Sequence, residues 1–220
     1  IVSAIILLMC SFSLVFFFPK QTASTLSNIK KASSQLASII IRHNFRSIAD
    51  IRDNYEDRHE KVKVVIVPGH EPNYGGAEYL YLKEREMNLE LGLELQKLLE
   101  ADNHYEVFIT RDQNGWTSKF DRYFRNNYEG INEWVKASHD EFSKLVSAGV
   151  VTQTFSTVMH NNARPDVANR LYGITKWSNE HDIDIVIHIH FNDNHRKNLN
   201  GPGKYSGFSI YVPASQYGNN

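Results

Sequence analysis

The sequence predicts an α/β domain with a mostly parallel sheet and flanking helices, preceded by a transmembrane or signal segment and a helical stalk. Three observations predict it. Val62 to Val67 and Asp184 to His190 are short apolar, β-branched runs bounded by loop residues, the pattern of buried strands. Helical spacing over 83–100 and 165–181 alternates with these runs, as in a parallel sheet covered by helices. Ile1 to Phe18 carry no charge and are closed by Pro19-Lys20.

A run of about 20 apolar residues crosses a bilayer. Three phenylalanines at its end and Lys20 beyond it suit an interfacial boundary. Residues 1–20 are therefore expected to anchor the chain in a membrane. The alternative is a cleaved signal peptide, for which Gln21-Thr22-Ala23-Ser24 supplies small residues. Either way the remainder is expected to be exported, on the outer face of the cytoplasmic membrane. Cys10, the only cysteine, lies inside the apolar run behind Met9, which argues against a lipoprotein site. The exported part thus has no disulfide and relies on its core.

Residues 21–60 read as a helical stalk or linker. Leu26, Ile29, Ser33, Leu36 and Ile40 keep a 3–4 spacing, and Phe45, Ile48 and Ile51 extend an apolar face. A linker helix packing on its own domain or on nothing is favoured over a dimerising coiled coil, which needs sustained heptads.

The compact domain is placed at 61–220. After the strand at 62–67 comes a Gly-, Pro- and Tyr-rich loop at 71–82, then the helix at 83–100. A second strand spans 105–110. Residues 113–164 form a long insertion with a helix near 131–147. Pro165 opens the next helix at a favoured first-turn position. The strand at 184–190 follows, then a loop at 192–207 and a strand at 208–212. Net charge is −1 and no Lys/Arg stripe is present, so nucleic acid is excluded as a partner.

Ligands of α/β sheets bind beyond the carboxyl ends of the strands. His70 and His190 both occupy such ends. His188 shares a face with His190 but lies one repeat back, so it is expected to be buried and not a ligand. In the helix at 83–100, Met87, Leu91, Leu95 and Leu98 fall in one narrow stripe, and Glu84 falls in its middle. A carboxylate on a buried stripe is costly unless paired or bound to metal. First-turn helix electrostatics explains Glu86 as well as Glu84, but not an acid on the buried side. Two imidazoles and a carboxylate suit a three-donor zinc site with an open position, the arrangement of a hydrolase.

These residues carry a resemblance. Val-Pro-Gly-His at 67–70, Leu-Lys-Glu-Arg-Glu-Met-Asn-Leu at 82–89, Phe-Ile-Thr-Arg-Asp at 108–112 and Ile-His-Ile-His-Phe-Asn at 187–192 occur in this order. The set resembles the zinc-dependent N-acetylmuramoyl-L-alanine amidases, the catalytic domains of bacterial cell-wall hydrolases. Trp177-Ser178-Asn179 and Gly207-Phe208-Ser209-Ile210-Tyr211 resemble two further pieces of the family pattern. The resemblance implies zinc held by His70, Glu84 and His190. It also implies hydrolysis of the amide between N-acetylmuramic acid and L-alanine in peptidoglycan.

The chain departs from the family pattern in four places. Glu71-Pro72 stands for the usual Gly-Gly after the first histidine, and His188 for the usual Ser. Residues 113–164 are longer than the family's connection. The family's catalytic Glu, its general base, is expected beyond Asn220, so the domain reads as incomplete at its carboxyl end. Were the base already present, Glu71 and Glu78 would be the first candidates.

The insertion holds Trp116, Phe120, Tyr123, Phe124, Tyr128, Trp134 and Phe142. A local core is expected, with a sugar-stacking platform as the alternative. A lid or a regulatory role for the insertion also stays open, because long loops in compact domains are often functional, and a regulatory protein is a further expected partner. Against the amidase stand a non-catalytic wall- or partner-binding relative and another exported zinc amidohydrolase.

Overall fold

The structure, a computed structural model, describes residues 47–57, 60–149, 163–191, 201 and 207–210. The expected anchor at 1–20 and most of the stalk lie outside these residues. Among the described residues, no helix is long and apolar enough to cross a membrane.

The elements run α1 (Ile48–Asp57), β1 (Val62–Pro68), β2 (Glu78–Tyr79), β3 (Leu82–Lys83), α2 (Glu84–Glu100), β4 (Tyr105–Ile109), β5 (Arg111–Asp112), β6 (Gly115–Trp116), α3 (Ser118–Asn126), α4 (Tyr128–Ser147), α5 (Pro165–Glu180) and β7 (Ile185–Ile189). The main sheet has the order β4-β1-β7. Both pairings are parallel, with Val64 of β1 opposite Val107 on one side and Ile185 on the other. The short β2-β3 and β5-β6 ribbons are antiparallel.

β1 is the centre of the domain. Its residues are apolar apart from Lys63, and all except Lys63 are buried, as a central parallel strand with both faces covered requires. Alternation along the strand splits its side chains between two layers. Val62, Val64 and Ile66 join Ile109 and Ile189 in a cluster packed by Leu93, Leu95 and Leu99 of α2 and by Ile51 of α1. Val65 and Val67 join Phe120, Phe124, Ile131, Ile174 and Trp177 on the opposite face. The described end of the stalk thus packs on its own domain, with Tyr55 against the rings of His104 and Tyr105.

The insertion is more than a local core. α3 and α4, drawn from it, form with α5 the layer that covers one face of the sheet. Phe120 packs on Trp177 with ring centroids 4.7 Å apart, and Trp116 meets Phe124 edge-on at 5.1 Å. Tyr128, by contrast, is exposed. The residues at 150–162 lie outside the description.

Three expectations are corrected. The buried side of α2 carries Glu84, Asn88 and Gly92, whereas Leu91 and Leu98 are exposed. The stripe turns because α2 approaches β1 at Gly92, where an added Cβ would lie 2.9 Å from Pro68 Cγ. Glu84 stays on the buried side. His188 is exposed, not buried. β7 sends Ile189 into the α2-side cluster, with Ile185 and Ile187 packed against it, while Val186, two residues from His188, is 39% exposed. Finally, Phe208–Ile210 have no regular structure, and Phe208 and Ile210 are exposed. The rest of the strand expected at 208–212 falls outside the described residues.

Candidate metal centre

Three segments deliver one site. β1 ends at Pro68, and Gly69 and His70 follow it at the carboxyl edge of the sheet. β7 ends at Ile189, paired with Pro68, so His190 leaves the sheet beside Gly69. The Gly69 amide donates to the Ile189 carbonyl at 2.9 Å, which keeps the two strand ends together. Glu84 is the first residue of α2, and its amide donates to the Ala77 carbonyl at 2.9 Å.

His70, Glu84 and His190 each offer one donor atom, all within 4.8 Å of one another. Glu84 Oε1 lies 2.9 Å from His70 Nε2 and 3.2 Å from His190 Nδ1. The two imidazole rings stand edge-on, 86° apart. His188 is not a member of this cluster.

The buried His70 Nε2 has no hydrogen-bond partner. Its polar neighbour is Glu84 Oε1 at 2.9 Å, in poor alignment for a hydrogen bond. Buried polar atoms are normally paired. Two donors that crowd together without facing each other are arranged as ligands of a common cation would be. A two-histidine, one-carboxylate set is a zinc donor set, and the residues present fit that ion.

The carboxylate is fixed from both sides. Glu84 Oε2 accepts from the Ala77 amide at 2.9 Å, and Oε1 accepts from the Phe191 amide at 3.1 Å. Burial pushes the Glu84 carboxyl up, but the Ala77 amide and the two imidazoles outweigh it and hold the group below the usual carboxylate range.

Two glycines make room for the rings. An added Cβ at Gly69 would lie 2.4 Å from His190 Cε1, and one at Gly76 would lie 2.8 Å from His70 Cδ2. Gly76 also has φ +83°, a conformation costly for other residues. Gly69→Ala is expected to leave the fold intact, because the ring it strikes can rotate outward. Zinc affinity should then fall by roughly 10–100-fold, the scale of a disturbed ligand orientation. Metal titration of the purified variant checks this.

Glu71 and Glu78 are already engaged. Glu71 is buried and accepts from Arg170 Nε at 3.0 Å, and Arg170 also donates to Asp166 at 2.9 Å. Glu78 accepts from Arg85 at 2.6 Å. Each carboxylate thus already has a guanidinium partner, and neither belongs to the His70–Glu84–His190 cluster. The Glu71–Arg170 pair escaped the sequence reading because its partners are separated by 99 positions. Asn88 and Arg111 stood in the quoted motifs without a role. Their only local signal was a polar residue next to an otherwise apolar stretch.

Among the described residues, a parallel sheet of three strands gathers two imidazoles and a carboxylate at its carboxyl edge, an α/β arrangement whose donor set could hold a metal ion. The chain belongs to the N-acetylmuramoyl-L-alanine amidase family Amidase_3, whose model matches residues 64–220. The match takes in all three donors and the insertion. No curated protein and no solved structure matches the chain in the same comparisons.

Proposed function

We propose that the protein is a zinc-dependent hydrolase of the amide between N-acetylmuramic acid and L-alanine in peptidoglycan. Membership of the family supports peptidoglycan amidase activity. The convergence of His70, Glu84 and His190, with one donor atom from each within 4.8 Å of the others, carries the metal part of the proposal. In this proposal those three residues hold the ion, and zinc there supplies a Lewis acid for the amide carbonyl and lowers the pKa of water. Glu84 supplies the negative charge, and the Ala77 and Phe191 amides orient it. Gly69 and Gly76 keep the space the imidazoles need.

The same proposal places the protein outside the cytoplasmic membrane, where its substrate lies. The uncharged run at 1–18 supports an anchor there, with the stalk giving reach.

The test uses the protein with every residue present in the chain. Wild type is expected to carry one zinc and to release L-alanine-ended peptides from purified peptidoglycan. His190→Ala should lose the zinc and the release together. Zinc binding and wall binding without release under any condition would favour the non-catalytic relative. A wild-type protein that binds no zinc would refute the proposal.

A further inference from the structure

We infer that Arg111 is a positioning residue that sets the spacing of His70 and Glu84, and through it the affinity of the site for a divalent metal. The inference rests on the metal site proposed above. Arg111 is 1% exposed, the largest of the fully buried side chains among the described residues. Its Nε donates to the Pro68 carbonyl at 3.1 Å. One terminal nitrogen donates to the Gly69 carbonyl at 2.8 Å and to the Arg85 carbonyl at 2.6 Å. Pro68 and Gly69 immediately precede His70, and Arg85 immediately follows Glu84. One rigid fork therefore ties the backbone beside one donor to the backbone beside another.

The Gly69 carbonyl is held a second time, by Asn88 Nδ2 at 3.2 Å. That peptide leads into His70, whose φ is +71°. A non-glycine residue in the left-handed region persists only where its surroundings over-determine it. Arg111 and Asn88 supply that constraint, and the turn it maintains aims the His70 ring at Glu84. Burial pulls the guanidinium pKa down, and the nearby Glu71 charge offsets part of this. A buried cation solvated by three carbonyls is costly unless the geometry is needed. Leucine or methionine would fill the space but could not fasten the loop to the helix. Lysine would keep the charge on a single nitrogen, without the planar fork that spans the three carbonyls.

The experiment compares wild type, Arg111→Lys and Arg111→Met, each stripped of metal. Zinc affinity is read by competition with a chromophoric chelator, and the fold by thermal unfolding of the metal-free form. Arg111→Lys is expected to fold and to bind zinc at least about tenfold more weakly, with peptide release lost at limiting zinc and largely restored at saturating zinc. Arg111→Met should bind more weakly still; if it fails to fold, Arg111→Lys decides. A lowered melting temperature with unchanged zinc affinity in Arg111→Lys would mean a merely structural role and would overturn the inference. Wild type without zinc would sink the metal site and this inference together. Zinc-binding wild type with an equally tight Arg111→Lys would sink this inference alone.

Discussion

Glu84→Gln is expected to strip the site of zinc and reduce peptide release to background. The carboxylate is the contact point of the site, with Oε1 beside both imidazole nitrogens. The amide keeps the shape of the side chain but removes its charge, and it turns an acceptor into a donor at one of the two oxygen positions. Disturbing an outer partner of a metal ligand already costs about 10–100-fold in affinity. Replacing the only anionic donor of the described cluster should exceed that range. The Ala77 amide can still be satisfied by the remaining carbonyl oxygen, but the Phe191 amide then faces an NH2 and loses its acceptor, so the metal-free variant should fold and unfold somewhat below wild type. Zinc content after dialysis and peptide release from purified peptidoglycan are the two measurements. Full zinc occupancy in Glu84→Gln would exclude Glu84 as a ligand.

Phe120→Ala is expected to destabilise the whole domain by about 3–5 kcal/mol, the usual cost of emptying a buried aromatic site. Phe120 is fully buried between Phe124 and Trp177, and its cluster reaches Val65 and Val67 of the central strand. The layer it belongs to comes from residues that resemble an insertion in sequence. If that layer is part of the one core, urea unfolding stays a single transition and its midpoint falls. Two separated transitions, with only the first displaced, would mean that the region folds as an independent lid.

The three strands of the described main sheet and the clustering of His70, Glu84 and His190 were legible in sequence for a simple reason. A run of β-branched residues ending in Pro-Gly-His shows both where a parallel strand is and where it stops. The stop is also where such folds bind ligands, so His70 and His190 could be placed without knowing the strand order. Glu84 was legible as an acid on a helix side meant for burial. That helix side itself was misplaced. Its buried members are Asn88 and Gly92, chosen for a hydrogen bond to Gly69 and for close approach to Pro68, and hydrophobic spacing is blind to both. His188 was misjudged because alternation gives the parity of a strand residue and not what covers each face. The roles of Arg111 and Arg170 depend on carbonyls and carboxylates 26–43 and 99 positions away, which no local pattern encodes.

The three donors come from distant parts of the chain. Glu84 and His190 are 106 positions apart, and His190 reaches the site only because β7 lies alongside β1. Loop closure over such separations is slow and is completed late in folding. A chain emerging from synthesis therefore holds His70 and Glu84 as an incomplete pair until nearly all of the described sequence has been made. Tight metal capture would then coincide with the docking of β7 beside β1. An ion bound only by the finished fold adds to its stability by mass action. Zinc would thereby act as a late clamp on β7, and its withdrawal should loosen the β1–β7 pairing first.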